Sequence, residues 1–144
     1  MYDTITENYT LYEQACSKCI KDMYHTAYLA LADSDAAKKI VTEICVAGVH
    51  KYESLEDEAA IRFRLTSDLY HRLKHKLWFL TPNTDALPKY LQTLTKQDRL
   101  IIAMRFSSGL SAADSGQILK LSKADYRRLV NSVMHKQIAA RKGL

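Results

Sequence analysis

The chain has 144 residues, of which 47% are hydrophobic and 26% charged, with only four Gly and two Pro. That length suits one compact domain or two small ones, and so few breakers without long alternating Val/Ile/Thr runs point to an all-α fold. The formal net charge is +5, unevenly placed. Residues 81–144 carry eleven Lys and Arg against four Asp and Glu, a net +7, while residues 1–80 carry ten against twelve, a net −2. A basic excess confined to one half is the electrostatic footprint expected for nucleic acid.

No apolar run reaches membrane-spanning length, and the polar start MYDTITENYT lacks a signal-peptide pattern. A cytoplasmic protein without a membrane partner is expected. Three cysteines, Cys16, Cys19 and Cys45, are an odd number and argue against a disulfide framework.

In chain order, a first helix is expected from about Thr6 to Leu31, with Tyr9, Tyr12, Cys16, Cys19, Ile20, Met23, Ala27 and Leu31 at helical spacing. Asp33-Ser34-Asp35 breaks and recaps the chain. A second helix runs to about Tyr52, turning Ala37, Ile40, Val41, Ile44, Cys45, Gly48 and Val49 inward. Ser54 caps a third, whose first turn holds Glu56, Asp57 and Glu58 as the helix dipole favours. Its stripe is Ile61, Leu65, Leu69, Leu73, Leu77 and Leu80, and three such helices suffice for a small bundle. Arg62, Arg64 and Arg72 on this helix read as a second nucleic-acid surface, with Phe63, Tyr70 and Trp78 near enough to stack on bases.

The loop-like run 81–88, TPNTDALP, marks the boundary between an N-terminal bundle at 1–80 and a C-terminal domain at 89–144. A short helix around Tyr90 to Leu94 and a support helix from Lys96 to Phe106 follow, with Gly109 as a natural left-handed residue. Leu100, Ile101, Met104 and Leu110 floor the next pair.

That pair is SAADSGQILKLSKADYRRLVN, residues 111–131. Ser111 is a good N-cap with Asp114 three residues on, and Ser122 with Asp125 repeats the arrangement. Gly116 falls in mid-helix, where glycine costs roughly 1 kcal/mol against alanine; a close crossing by the second helix is a reason to accept that. Burying Tyr126, Leu129, Val130 and Val133 leaves Ala124, Arg127, Arg128, Asn131 and His135 outward. Arginine and asparagine can each grip a base edge or phosphate with two hydrogen bonds. The layout is that of a DNA-binding helix-turn-helix, with Arg127, Arg128 and Asn131 reading or anchoring and Lys120 and Lys123 on phosphates.

Other chemistry has less support. Cys16-Ser17-Lys18-Cys19 is a lone CxxC, and both cysteines sit on the apolar stripe of the first helix, so no metal site is expected. His71 and His75 lie one turn apart without a glutamate between them. There is no glycine-rich phosphate loop and no Ser/His/Asp set, so no catalytic residue, enzyme activity or cofactor is expected.

Taken together, the chain resembles the bacterial RNA polymerase sigma factors of the small, extracytoplasmic-function type. LQTLTKQDRLIIAMRFSSGLSAADSGQILKLSKADYRRLVNSVMHK carries the likeness in the C-terminal half, and AAKKIVTEICVAGVHKYESLEDEAAIRFRL carries it in the N-terminal half. The resemblance implies a core-binding and promoter-opening bundle joined to a domain that reads double-stranded promoter DNA. It also implies RNA polymerase core as partner, through Lys39, Thr42, Glu43 and Val46, and an anti-sigma-type protein as a further partner. Lys38-Lys39 stand where the family has an acidic pair, and Lys120 where it has the turn glycine. Two alternatives therefore stay open. One is a helix-turn-helix regulator that does not engage polymerase and uses its bundle to dimerise or hold another protein, and the other is a protein-binding adaptor.

Overall fold

A computed structural model describes residues 10–76, 87, 89–92 and 94–142. The expected helical positions Thr6 and Tyr9, the stripe residues Leu77 and Leu80, Trp78, and most of the 81–88 boundary lie outside them. The fold is all-α: among the described residues there is no strand, and seven helices follow one another. They are α1 (Leu11–Leu31), α2 (Ser34–Tyr52), α3 (Glu58–Lys76), α4 (Lys89–Gln92), α5 (Lys96–Phe106), α6 (Ala112–Leu119) and α7 (Lys123–Lys142). None is long and apolar enough to cross a membrane.

Side-chain caps set most boundaries. Thr10 Oγ1 accepts from the Glu13 amide at 3.1 Å and Asp33 Oδ1 from Ala36 at 3.1 Å, each satisfying an orphan donor of a first turn. α1 stops at Ala32, left-handed at φ 56°, so Asp33 can restart the chain at once. Asp57, rather than Ser54, starts α3: its carboxylate accepts from the Ala59 amide at 2.9 Å and its carbonyl from Ile61 at 3.1 Å. A turn closed by the Leu55 amide on the Tyr52 carbonyl, with Leu55 packed on the core, delays the helix by three residues.

α1, α2 and α3 enclose one core: Cys19, Met23, Ala27, Ile40, Ile44, Ile61, Leu65, Leu69 and Leu73 are all buried. Gly48 is required there, since a Cβ at that position would meet Tyr12 Oη and approach Leu65 Cδ2 within 2.9 Å. The Tyr12 hydroxyl passes through that gap to donate to the Cys45 carbonyl. Two expected core residues are not in it. Ile20 is 44% exposed and Val49 38% exposed, because each sits at the flank of its helix's buried face. Tyr70 is the opposite case: it is 6% exposed, so it packs in the core and cannot stack on a base.

α5 is the keel of the molecule. Arg99 to Met104 are buried without a break, so this helix is covered on all sides. Leu100 and Met104 enter the core of the N-terminal helices, while Ile101 and Ile102 enter a second cluster with Leu91, Tyr126, Val130 and Val133. From spacing alone Leu100, Ile101 and Met104 are expected under the helix pair. Arg99 is 3% exposed, and donates from Nε to the Leu29 carbonyl at 3.1 Å, from Nη2 to Ala30 at 3.3 Å and from Nη1 to Leu94 at 3.1 Å. α1 has no basic residue in its own last turn, so α5 supplies the cation that its C-terminal carbonyls favour. Gly109, at φ 73°, leaves room for the Arg62 guanidinium, which pairs with Asp22 at 3.1 Å.

Burial pushes the Cys19 thiol up to about 11 and the Cys45 thiol up to about 12. Such thiols are poor nucleophiles and poor metal ligands, and among the described residues no group of three His, Cys, Asp or Glu is placed to hold a metal ion. Because the folded values are raised, their stabilisation is full below the ordinary thiol value of 9.0 and fades as pH rises toward about 11. Urea midpoints should therefore drop between pH 8 and 10.5. The drop should shrink in Cys16→Ser/Cys19→Ser, which stays folded but loses about 1–2 kcal/mol at neutral pH through a buried hydroxyl. Stoichiometric zinc in protein purified without added metal contradicts this account.

Candidate nucleic-acid interface

The helix pair is built as its local chemistry dictates. Ser111 Oγ accepts from the Asp114 amide at 3.1 Å and Ser122 Oγ from the Asp125 amide at 3.1 Å. Between them Lys120 takes the left-handed conformation at φ 60°, ψ 41°. The Lys120 amide bonds Gln117 O at 3.1 Å and the Leu121 amide bonds Gly116 O at 2.8 Å, closing α6 in a Schellman-type turn without glycine. Gly116 sits at the crossing: a Cβ there would lie 2.9 Å from the Leu121 carbonyl oxygen and 3.5 Å from Tyr126 Cβ. The nearest obstacle is backbone, which cannot swing aside. Gly116→Ala is accordingly expected to destabilise by about 1–2 kcal/mol in urea melts, although alanine is the better helix former by roughly 1 kcal/mol. A stabilised variant would refute the tight crossing.

α7 buries Tyr126, Val130 and Val133 and leaves Lys123, Ala124, Arg127, Arg128, Asn131 and His135 exposed. The two arginines differ. Arg128 pairs with Asp125 one turn back, and this, then the Ser122 hydroxyl, holds the Asp125 carboxyl below the usual carboxylate range. The pair is largely exposed and adds little to stability. Among the described residues Arg127 has no ion pair. It lines, with Asn131, a cleft of about 390 Å³ between α7, the end of α5 and the capped start of α6. Arg105 closes the far side, its guanidinium 5.2 Å from the Phe106 ring centroid, and Phe106 is itself 59% exposed. Ser111 and Ala112, at the start of α6, line the same cleft, and a helix N-terminus favours an anion. Arg105 and Phe106 were missed by the sequence reading. The one usable signal was a lone cation ending an apolar helix just before a capped one.

Lys120 and Lys123 are exposed at the turn and at the first residue of α7. Lys136 is drawn away to Asp98 on α5, at 3.3 Å. The second set of cations is dispersed: Arg62 is held by Asp22 on α1, Arg72 by Glu43 on α2 at 2.6 Å, and Arg64 is exposed. Positions 62 and 64 are about 200° apart on a helix and share no face. Lys39, Thr42 and Val46 are exposed on α2, Val46 at 65%, whereas Glu43 turns toward α3 and its arginine.

Compared with known proteins, the chain matches no family model, no curated protein and no solved structure.

Proposed function

We propose that this is a DNA-binding protein of transcription, sigma-like in layout, in which α6 and α7 act as the helix-turn-helix and α7 enters the major groove. The observation that carries this is Arg127, without an ion pair among the described residues, grouped with Asn131 and Arg105 in a cleft at the start of α6. Arg62 and Arg72, which the sequence offers as a second nucleic-acid surface, are held by carboxylates. An adaptor without DNA has no need of that grouping. In this reading Lys120 and Lys123 meet phosphates, Arg127, Arg128 and Asn131 meet phosphates or base edges, and the N-terminal helices form the partner-binding half. Lys39, Thr42 and Val46 offer RNA polymerase core a surface on α2, and an anti-sigma-type protein would compete for it.

A second reading, a regulator that does not engage polymerase, is favoured by Lys38 and Lys39. Both are exposed and, among the described residues, without an ion pair, where the resembled family carries acid. Two measurements on the full chain separate the readings. Affinity for duplex DNA should fall steeply with salt, each neutralised phosphate adding about −0.9 to the slope of log K on log salt. Core polymerase should then co-purify with the chain under the sigma-like reading and not under the regulator reading. A flat salt slope rejects both and leaves the adaptor.

A further inference from the structure

The outer face of α1 and α2 is charged at its two ends with opposite signs and apolar between them. At one end Glu13 and Glu53 flank the exposed Val49 around a shallow hollow. Toward the other, Lys21 and Lys38 flank a groove of about 290 Å³ floored by Val41 and Tyr24. The Tyr24 ring is fixed by its hydroxyl, 2.9 Å from Ser34 Oγ. Ile20, 44% exposed, lines the same groove, and Val46, 65% exposed, lies between the ends. The carboxylates on the opposite flanks of these helices are committed, Asp22 to Arg62 and Glu43 to Arg72, but among the described residues Glu13, Glu53, Lys21 and Lys38 take part in no ion pair.

We propose that this face binds a second copy of the chain, antiparallel, about a two-fold axis passing beside Val46. A two-fold interface joins a patch to itself, so its two ends must complement each other. Here they do: the lysine end of one copy meets the glutamate end of its partner. The spacing agrees. Lys38 and Glu53 are fifteen residues apart, about 22 Å of helix, and their midpoint falls at Cys45 and Val46. Placing the axis there sets Val46 beside its symmetry mate and lays Thr42 against Val49. A foreign helix would need both charges in the same order, which a second copy has by construction. The face includes Thr42 and Val46, so a dimer would exclude polymerase from it, and it would present two α7 helices to DNA. The inference does not depend on the DNA reading.

The test is self-association of the full chain by sedimentation equilibrium, with folding checked by circular dichroism. Wild type should dimerise with concentration, and Val46→Asp, at a site exposed enough to leave folding alone, should weaken the dimer at least tenfold. Reversing the basic end (Lys21→Glu with Lys38→Glu) should give a monomer, as should reversing the acidic end (Glu13→Lys with Glu53→Lys). Mixing these two variants should restore a one-to-one complex, because each end again meets its opposite. A monomeric wild type, a dimer indifferent to Val46→Asp, or reversed variants that stay apart when mixed overturns the proposal; the first would assign the face to a foreign partner.

Discussion

Arg99→Met should be among the most damaging single substitutions in the chain, lowering stability by about 3–5 kcal/mol. Methionine keeps the stem's packing but leaves the Leu29, Ala30 and Leu94 carbonyls without their shared donor, in a site where arginine is 3% exposed. Orphaned buried acceptors cost about 1–3 kcal/mol each, and bonds to a charged donor are among the stronger ones. Burial pulls the guanidinium below the usual arginine range, yet no carboxylate is paired with it; the carbonyl end of α1 offsets its charge. Arg99→Lys keeps a charge but presents one compact head to three carbonyls, so an intermediate loss is expected. Both are read from urea melts of the full chain. Wild type should unfold in one transition, since Leu100 and Met104 join the first core while Ile101 and Ile102 join the second. An Arg99→Met midpoint within 0.5 kcal/mol of wild type, taken roughly as the scatter of surface substitutions, would sink this account.

What could be read from the sequence is what short-range rules decide. Ser111 with Asp114 and Ser122 with Asp125 each encode a helix start within four residues, and both caps form. Gly116 announces a close crossing because glycine in mid-helix has a cost, and the Leu121 carbonyl occupies the space a Cβ would need. Long-range pairing was not legible. Arg99 finds its carbonyls 69 and 70 residues back, so nothing near it distinguishes it from a surface cation. Arg62 and Arg72 read as a basic surface until Asp22 and Glu43, 40 and 29 residues away, are brought against them. Ile20 and Val49 fit an apolar repeat by spacing alone, but one helix turn offers more apolar positions than one face can bury. The charge excess of residues 81–144 is legible from composition, while which of its cations are paired among the described residues depends on the packing of α5 against α7.

Arg127 and Arg128 should fail in different ways when removed. They splay about 100° apart on α7 and have different neighbours. Arg127 lines the cleft with Arg105 and the start of α6, a setting that suits an anion, so a backbone phosphate is its expected contact. Arg127→Ala should weaken binding to every duplex alike and reduce the salt slope by about one. Arg105→Ala should repeat that pattern. Arg128 is steadied by Asp125, whose carboxyl stays ionised well below neutral pH because Arg128 and then Ser122 bond to it. A guanidinium held in one orientation suits a guanine edge, so Arg128→Ala should cost about 1–3 kcal/mol on the preferred sequence and relax choice at one base pair. Asp125→Asn should relax the same position while leaving the salt slope unchanged, because the orientation is lost and the cation is kept. Selection of binding sites from random duplexes by each full-length variant, followed by salt titration on the enriched site, separates these outcomes. Wild-type affinity and preference in both Arg127→Ala and Arg128→Ala would mean that α7 is not the helix that meets DNA.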